Sequence, residues 1–231
     1  MRVLLIEVDN PNTNYLRTAL ETRGFVVDVA AGADDGAAFA RSYDYDLMVL
    51  DADFGRSSSL GALVRLRRVR VGTPLMVVSR SRAVESTVAA FRAGADEYMT
   101  RPLDADELCC RLHAIVRRTR GHPRSIIRTG RMEIDVEDKT VRVDGRPVAM
   151  TRKEYAILEA LSLRKGAVVH RDALVERIYG ALDQPCPKIV DVYISHIRKK
   201  LLRLCGEAYI ETEWGRGFVL RDGEGPTRSA A

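Results

Sequence analysis

The first 120 residues repeat one pattern five times: a short apolar run, then a stretch whose apolar residues share one helical face. The runs are Val3–Ile6, Phe25–Val29, Asp46–Asp51, Pro74–Ser79 and Asp96–Thr100. The helical stretches are Asn14–Arg23, Gly32–Ser42, Leu60–Val69, Ala83–Ala93 and Asp104–Arg118. In the last of these, Leu108, Leu112, Ile115 and Val116 lie on one side. Runs that are apolar throughout are strands buried on both faces, and strict strand–helix alternation implies a doubly wound parallel α/β sheet of five strands. In such sheets ligands sit beyond the carboxyl ends of the strands. That edge gathers Glu7, Asp51, Ser79 and Arg101, with Asp9 and Asp53 close by. Clustered carboxylates need a cation, so a hard divalent ion such as Mg²⁺ is expected at Glu7 and Asp51. An Asp beside Mg²⁺ can act as a nucleophile toward phosphorus.

The second half has a different grammar. Thr119–Ser125 contains Gly and Pro and no apolar residue, which marks a linker. Short alternating segments follow at Ile126–Ile127, Met132–Asp135, Thr140–Val143 and Val148–Met150, with a turn at Asp144-Gly145. They read as a small antiparallel sheet. Thr151-x-x-Glu154 is a capping box opening a helix to Leu163. A second helix spans Arg171–Tyr179 and a loop spans Gly180–Pro187. The third helix, Lys188–Leu204, places Val190, Ile194, Ile197, Leu201 and Leu204 on one side. Lys188, Val192, Ser195, Lys199 and Arg203 face the other way, flanked by His196, Arg198 and Lys200. Tyr209–Thr212 and Phe218–Leu220 then read as a hairpin around Trp214-Gly-Arg216-Gly. Three helices, the third basic, with a Gly-tipped hairpin behind them, describe an α+β winged helix-turn-helix whose third helix enters a DNA groove. Arg198 and Lys199 suit phosphates, and Ser195 and His196 suit base edges. Ile189, Val190, Asp191 and Ile194 read as structural, and Trp214 as a packed hairpin residue ahead of a DNA contact.

Charge agrees with this division. The net charge is +5, but residues 1–121 carry 17 Arg against 16 acids, whereas residues 122–231 carry 20 Lys plus Arg against 16. The excess sits with the basic helix. The chain lacks an apolar run of membrane-spanning length, and its N-terminal apolar core is too short for a signal peptide. Cys109, Cys110, Cys186 and Cys205 form no C-x-x-C pair, so they read as reduced thiols of a cytoplasmic protein.

With Glu7, Asp51, Ser79, Tyr98 and the Arg101-Pro102 step in place, the first half resembles the receiver domain of two-component response regulators. The segments Thr-x-x-Glu-Tyr (151–155), Val-Asp-Val-Tyr-Ile (190–194) and Trp-Gly-Arg-Gly-Phe (214–218) resemble the effector domain of the OmpR/PhoB family. The resemblance implies a transcriptional regulator, not an enzyme, with a receiver over residues 1–118, a linker over 119–125, a DNA-binding domain over 126–222 and a disordered tail over 223–231. It implies that Asp51 accepts a phosphoryl group from a histidine kinase, and that Ser79 and Tyr98 couple this event to a dimer face. Asp96, Glu97, Glu107, Arg111 and Arg118 match that homodimer face. Lys188, Tyr193, Ser195, His196, Arg198 and Lys199 match DNA-facing positions, Thr212, Trp214 and Arg216 match the wing, and Gly180–Pro187 matches a loop that can touch RNA polymerase. Promoter DNA in direct repeats is the expected partner.

Four positions depart from the pattern. Val8 stands where the family has a second metal-holding acid. Arg101 stands where it has a lysine, and the first lysine of the chain is Lys139. Gly55 and Ser59 stand where a Pro and a Gly are usual. Arg is a planar fork and Lys a compact point charge, so the exchange is not conservative. These departures predict an atypical receiver with weak Mg²⁺ binding and weakened or absent phosphorylation, the alternative being a conventional receiver phosphorylated on Asp51. Two other classes compete. An Asp-nucleophile phosphatase would use Asp51 and Asp53 but also needs a downstream lysine. A pure interaction protein would not need the basic face.

Overall fold

The computed structural model describes residues 1–7, 14–51, 57–69, 72–180 and 185–222. Val8, Asp9, Asp53, Gly55 and the 223–231 tail lie outside them. The chain divides into two compact units, Met1–Thr119 and Arg120–Ala231.

The first unit follows the fivefold alternation. Its strands are β1 (Arg2–Glu7), β2 (Val26–Ala30), β3 (Leu47–Asp51), β4 (Leu75–Ser79) and β5 (Glu97–Thr100). Its helices are α1 (Asn14–Thr22), α2 (Ala33–Ser42), α3 (Ser57–Val69), α4 (Val84–Arg92) and α5 (Ala105–Thr119). All pairings are parallel, in the order β2-β1-β3-β4-β5. Helices α2, α3 and α4 pack side by side, and α1 packs against α5, which makes the two covering layers. The central strands are apolar because both faces are covered: Leu4, Ile6, Met48, Leu50 and Val77 are fully buried. Gly36 lets α2 approach β1 closely; a Cβ there would lie 2.9 Å from Ile6 Cγ1. The strand order reverses direction at β1, so the crevice of this fold opens at the carboxyl ends of β1 and β3. There the register sets Glu7 beside Asp51.

The second unit opens with an antiparallel sheet of β6 (Ile126–Thr129), β7 (Met132–Asp135), β8 (Thr140–Val143) and β9 (Arg146–Pro147). The fourth strand lies earlier than the expected Val148–Met150. The tight turn at Asp144 and Gly145, both at positive φ, returns the chain to β8 at once, so pairing begins at Arg146. Helices α6 (Arg152–Leu163), α7 (Arg171–Tyr179) and α8 (Ile189–Cys205) follow, then β10 (Ile210–Glu213) and β11 (Gly217–Leu220). The capping box is present: Thr151 Oγ1 accepts from Glu154 N, and Glu154 Oε2 accepts from Thr151 N at 2.7 Å. Val190, Ile194, Ile197 and Leu201 bury one face of α8 against α6 and α7. Each such side chain contributes on the order of 1.5–3 kcal/mol. Leu204 departs from the expected buried set: it is 40% exposed. It has the right helical phase, but burial of the stripe ends at Leu201, and Leu202, Arg203 and Leu204 are all exposed.

The hairpin is fixed to the helices by backbone. Val169 N donates to Phe218 O at 2.8 Å, and Phe218 N to Val169 O at 3.0 Å. This close approach demands glycine at 217, where a Cβ would fall 2.1 Å from Val169 O and φ is 153°. The wing therefore has a defined position relative to α8.

Candidate nucleic-acid interface and acidic pocket

The outward face of α8 is built by spacing alone. Four buried residues at intervals of four and three turn Lys188, Val192, Lys199 and Arg203 to solvent, with Ser195 half-buried beside them. Val192 is 48% exposed, an apolar probe on a cationic surface. The state of its charges bears on what this face can do. Several other cations of the unit sit on acids: Arg171 pairs with Asp191 at 3.2 Å, Arg177 with buried Glu159 at 3.2 Å, Lys165 with Asp222 at 2.6 Å and Lys200 with Glu154 at 2.6 Å. Among the described residues Lys188, Lys199, Arg203 and Arg216 enter no ion pair. Unpaired cations on one face can neutralise phosphates without first breaking an internal bond.

The flanks divide by role. His196 is exposed, with Nδ1 3.9 Å from Glu154 Oε1. Burial raises the Glu154 pKa, but Lys200 and the Thr151 bonds outweigh it and hold the carboxyl below its ordinary range, so this acid stays charged. Tyr193 is half-buried, its hydroxyl 3.5 Å from that of Tyr179. Arg198 is not the free phosphate-seeking cation expected from the helical wheel. Its Nε donates to Ile210 O at 2.9 Å, one terminal nitrogen donates to Thr212 Oγ1 at 2.8 Å, and its guanidinium lies 5.9 Å from the Phe218 ring centroid. Burial lowers its pKa from the usual arginine value. Arg198 and Thr212 thus lock α8 to the wing. Asp191 is structural, as expected. Trp214 overturns the packed reading: at the turn between β10 and β11 it is 89% exposed, because the two-residue reach to Gly217 leaves no surface for the indole to cover. Arg216 is exposed beside it.

In the first unit, Asp51 is 3% exposed and Ser79 1%. The Arg101 guanidinium donates to Asp51 Oδ2 at 2.6 Å. Glu7 is half-buried next to them, and burial followed by the Asp51 charge raises its pKa above the ordinary carboxyl value. Tyr98 is buried and its hydroxyl donates to Ser81 O at 2.9 Å, tying β5 to the loop before α4. Of the sequence-predicted pocket residues that are described, Glu7, Asp51 and Arg101 are therefore together, Ser79 meets Arg101 through the backbone (Arg101 N to Ser79 O, 2.9 Å), and the Tyr98 hydroxyl is engaged on Ser81. Of the expected dimer face, Arg111 pairs with Glu107 at 2.9 Å and with Glu97 at 3.4 Å. Arg118 Nε donates to Ala114 O. Asp96 is engaged within its own unit, accepting from Arg67 at 2.7 Å and from Leu75 N at 2.8 Å. Sequence reasoning missed the exposed apolar row Val84, Val88 and Phe91 on α4. Their spacing of four and three was the available signal.

Residues 3–113 match the response regulator receiver domain family, and residues 145–220 match the family described as transcriptional regulatory protein, C terminal. The chain is 43% identical over 223 residues to the cell cycle transcriptional regulator CtrA of Caulobacter vibrioides, covering 96% of each. It belongs to the OmpR/PhoB-type response regulators. It is likewise 41% identical over 232 residues to the cell cycle response regulator CtrA of Brucella anthropi, covering all of both chains. The crystal structure of DrrB, a Thermotoga maritima OmpR/PhoB homolog, aligns with 96% of this chain and 99% of that one at 25% identity and a TM-score of 0.43. The regulator is a two-component transcriptional regulator with a DNA-binding effector domain, and not an enzyme. Among its described residues no helix is long and apolar enough to cross a membrane.

Proposed function

We propose that the regulator binds promoter DNA as a homodimer in the cytoplasm with little or no dependence on phosphorylation of Asp51. The observation that carries this reading is the 2.6 Å pairing of Arg101 with Asp51. The arginine fork occupies the acceptor carboxylate that a phosphoryl group would have to reach. It also supplies the charge compensation that a metal would otherwise supply. Mg²⁺ would be held by Glu7 and Asp51 in competition with Arg101, with Val8 offering no third carboxylate at its position. When bound, the ion would supply charge neutralisation at the acceptor oxygen. The Tyr98–Ser81 bond joins β5 to the α4 loop, which supports a coupling of pocket and dimer face that needs no phosphoryl group.

In this reading the receiver spans residues 1–118 and brings two copies together through Glu97, Glu107, Arg111 and Arg118, with Val84, Val88 and Phe91 adding apolar area and Asp96 contributing only indirectly. The linker 119–125 joins it to the effector, residues 126–222. Lys188, Lys199 and Arg203 neutralise phosphates. Val192, Ser195 and His196 read bases in the major groove, with Tyr193 at its edge. Trp214 and Arg216 extend from the wing, and Arg198 and Thr212 position it. Direct repeats match a dimer of this kind. The 180–187 loop, of which residues 181–184 lie outside the described set, is offered to RNA polymerase. A histidine kinase is the upstream partner if Asp51 is used.

The test treats the full chain with a small phosphodonor and Mg²⁺, then measures phosphoprotein and duplex affinity. The expected result is no stable Asp51-dependent phosphoprotein and unchanged affinity. An Asp51-dependent phosphoprotein with affinity raised by about fivefold or more, the coupling of a working switch, restores the conventional reading.

A further inference from the structure

The regulator carries a second cluster beside α8. Lys153, in the first turn of α6, places its ammonium 3.9 Å from the centroid of the Tyr179 ring. It also interacts with the hydroxyls of Tyr179 and Tyr193, which lie 3.5 Å from each other. Three elements, the start of α6, the end of α7 and the first half of α8, thus converge one ammonium and two phenol hydroxyls, each on a half-buried residue. The acids nearest Lys153 and Tyr193 in sequence are engaged elsewhere, Glu154 with Lys200 and Asp191 with Arg171. Among the described residues Lys153 is in no ion pair. The nearby Lys153 ammonium, then the Tyr193 hydroxyl, hold the Tyr179 pKa below the usual phenol value.

Placement decides what such a cluster meets. Tyr193 follows Val192, the exposed apolar probe of the α8 face, and stands about 100° round the helix from it. It shares that flank with Lys200, whereas His196, about 40° from Val192, stays nearer the base-reading face. An α-helix is about 10–12 Å across and a major groove about 12 Å wide, so a helix lying in the groove has its flanks against the backbones. Donors on a flank therefore meet phosphate oxygens, which accept only. A cation already braced on an aromatic ring loses little side-chain freedom when it meets one.

We propose that Lys153, Tyr179 and Tyr193 together seat one backbone phosphate of the bound duplex. This rests on the reading of α8 as the groove-bound helix and adds Lys153 and Tyr179 to its contacts. The seat is blind to sequence, since phosphate contacts position without specifying.

The test uses the full chain and sonicated mixed-sequence duplex, with affinity measured across a salt series. Lys153→Ala is expected to reduce the magnitude of the log K versus log salt slope by about one. Tyr179→Phe and Tyr193→Phe are each expected to weaken binding by about threefold with the slope unchanged, as loss of a neutral donor requires. Lys153→Met, which keeps the stem over the Tyr179 ring, separates charge from packing and must match Lys153→Ala. A wild-type slope in both Lys153 variants, with wild-type protein binding normally, overturns the seat and leaves the α8 reading standing. Wild-type protein that shows no salt-dependent binding overturns both.

Discussion

Arg101 and Lys199 carry the same charge under opposite conditions. Arg101 stands over a buried aspartate and is bonded to it; Lys199 stands on a helix with no acid beside it. The first is a cation whose partner is internal, the second one whose partner must come from outside. The contrast repeats within α8: Arg198, one residue away from Lys199, is tied to the wing through Ile210 and Thr212. Charge at a position therefore says little about function until its partner is known. An internal partner makes a cation structural, and the absence of one makes it available to an anion.

Removing an internally paired cation should harm the fold most. Arg101→Ala takes away the cation that lies 2.6 Å from buried Asp51, beside Glu7. Because Arg101 is partly exposed, the expected loss is about 2 kcal/mol, between the values for exposed and for fully buried pairs. Urea unfolding of the full chain checks it, and a loss confined to the surface range would mean the pairing is incidental. Arg198→Ala should cost roughly as much, about 1.5 kcal/mol for its charge-assisted bonds, and should also weaken DNA binding by freeing the wing. If affinity fell while stability and wing proteolysis stayed unchanged, Arg198 would be a direct contact after all.

The α/β pattern and the winged helix were legible because burial on both faces, helical spacing and the capping box each leave a local mark. So were the exposed positions of α8. What the sequence did not display was partnership. Nothing near Arg198 in the chain announces that Ile210 and Thr212, across a turn, take its donors. Asp96 likewise matched a dimer-face position while its carboxylate is held by Arg67 from α3. Trp214 was misjudged because tryptophan usually finds cover, and a two-strand hairpin tip offers none. Glu7 and Asp51 were legible as neighbours, since adjacent parallel strands end together, but the direct Arg101–Asp51 contact needed three dimensions.

The smallest expected effect concerns Glu7. Its folded-state pKa is raised by burial and then by Asp51, so its charged form is the disfavoured one in the fold. Above that raised pKa the charge destabilises the receiver, and the cost is relieved as pH falls through it toward the ordinary carboxyl value. Glu7→Gln should raise the melting temperature slightly at pH 7, with the gain shrinking on acidification. A drop at pH 7 would show that Glu7 is favourably paired.

The most direct test of the whole account is the salt dependence of duplex binding by the chain lacking Lys188, Lys199 and Arg203. Alanine at all three should reduce the slope of log K against log salt by about three while leaving unfolding within about 0.5 kcal/mol of wild type. An unchanged slope would contradict it, because these acid-free cations would then face no phosphate.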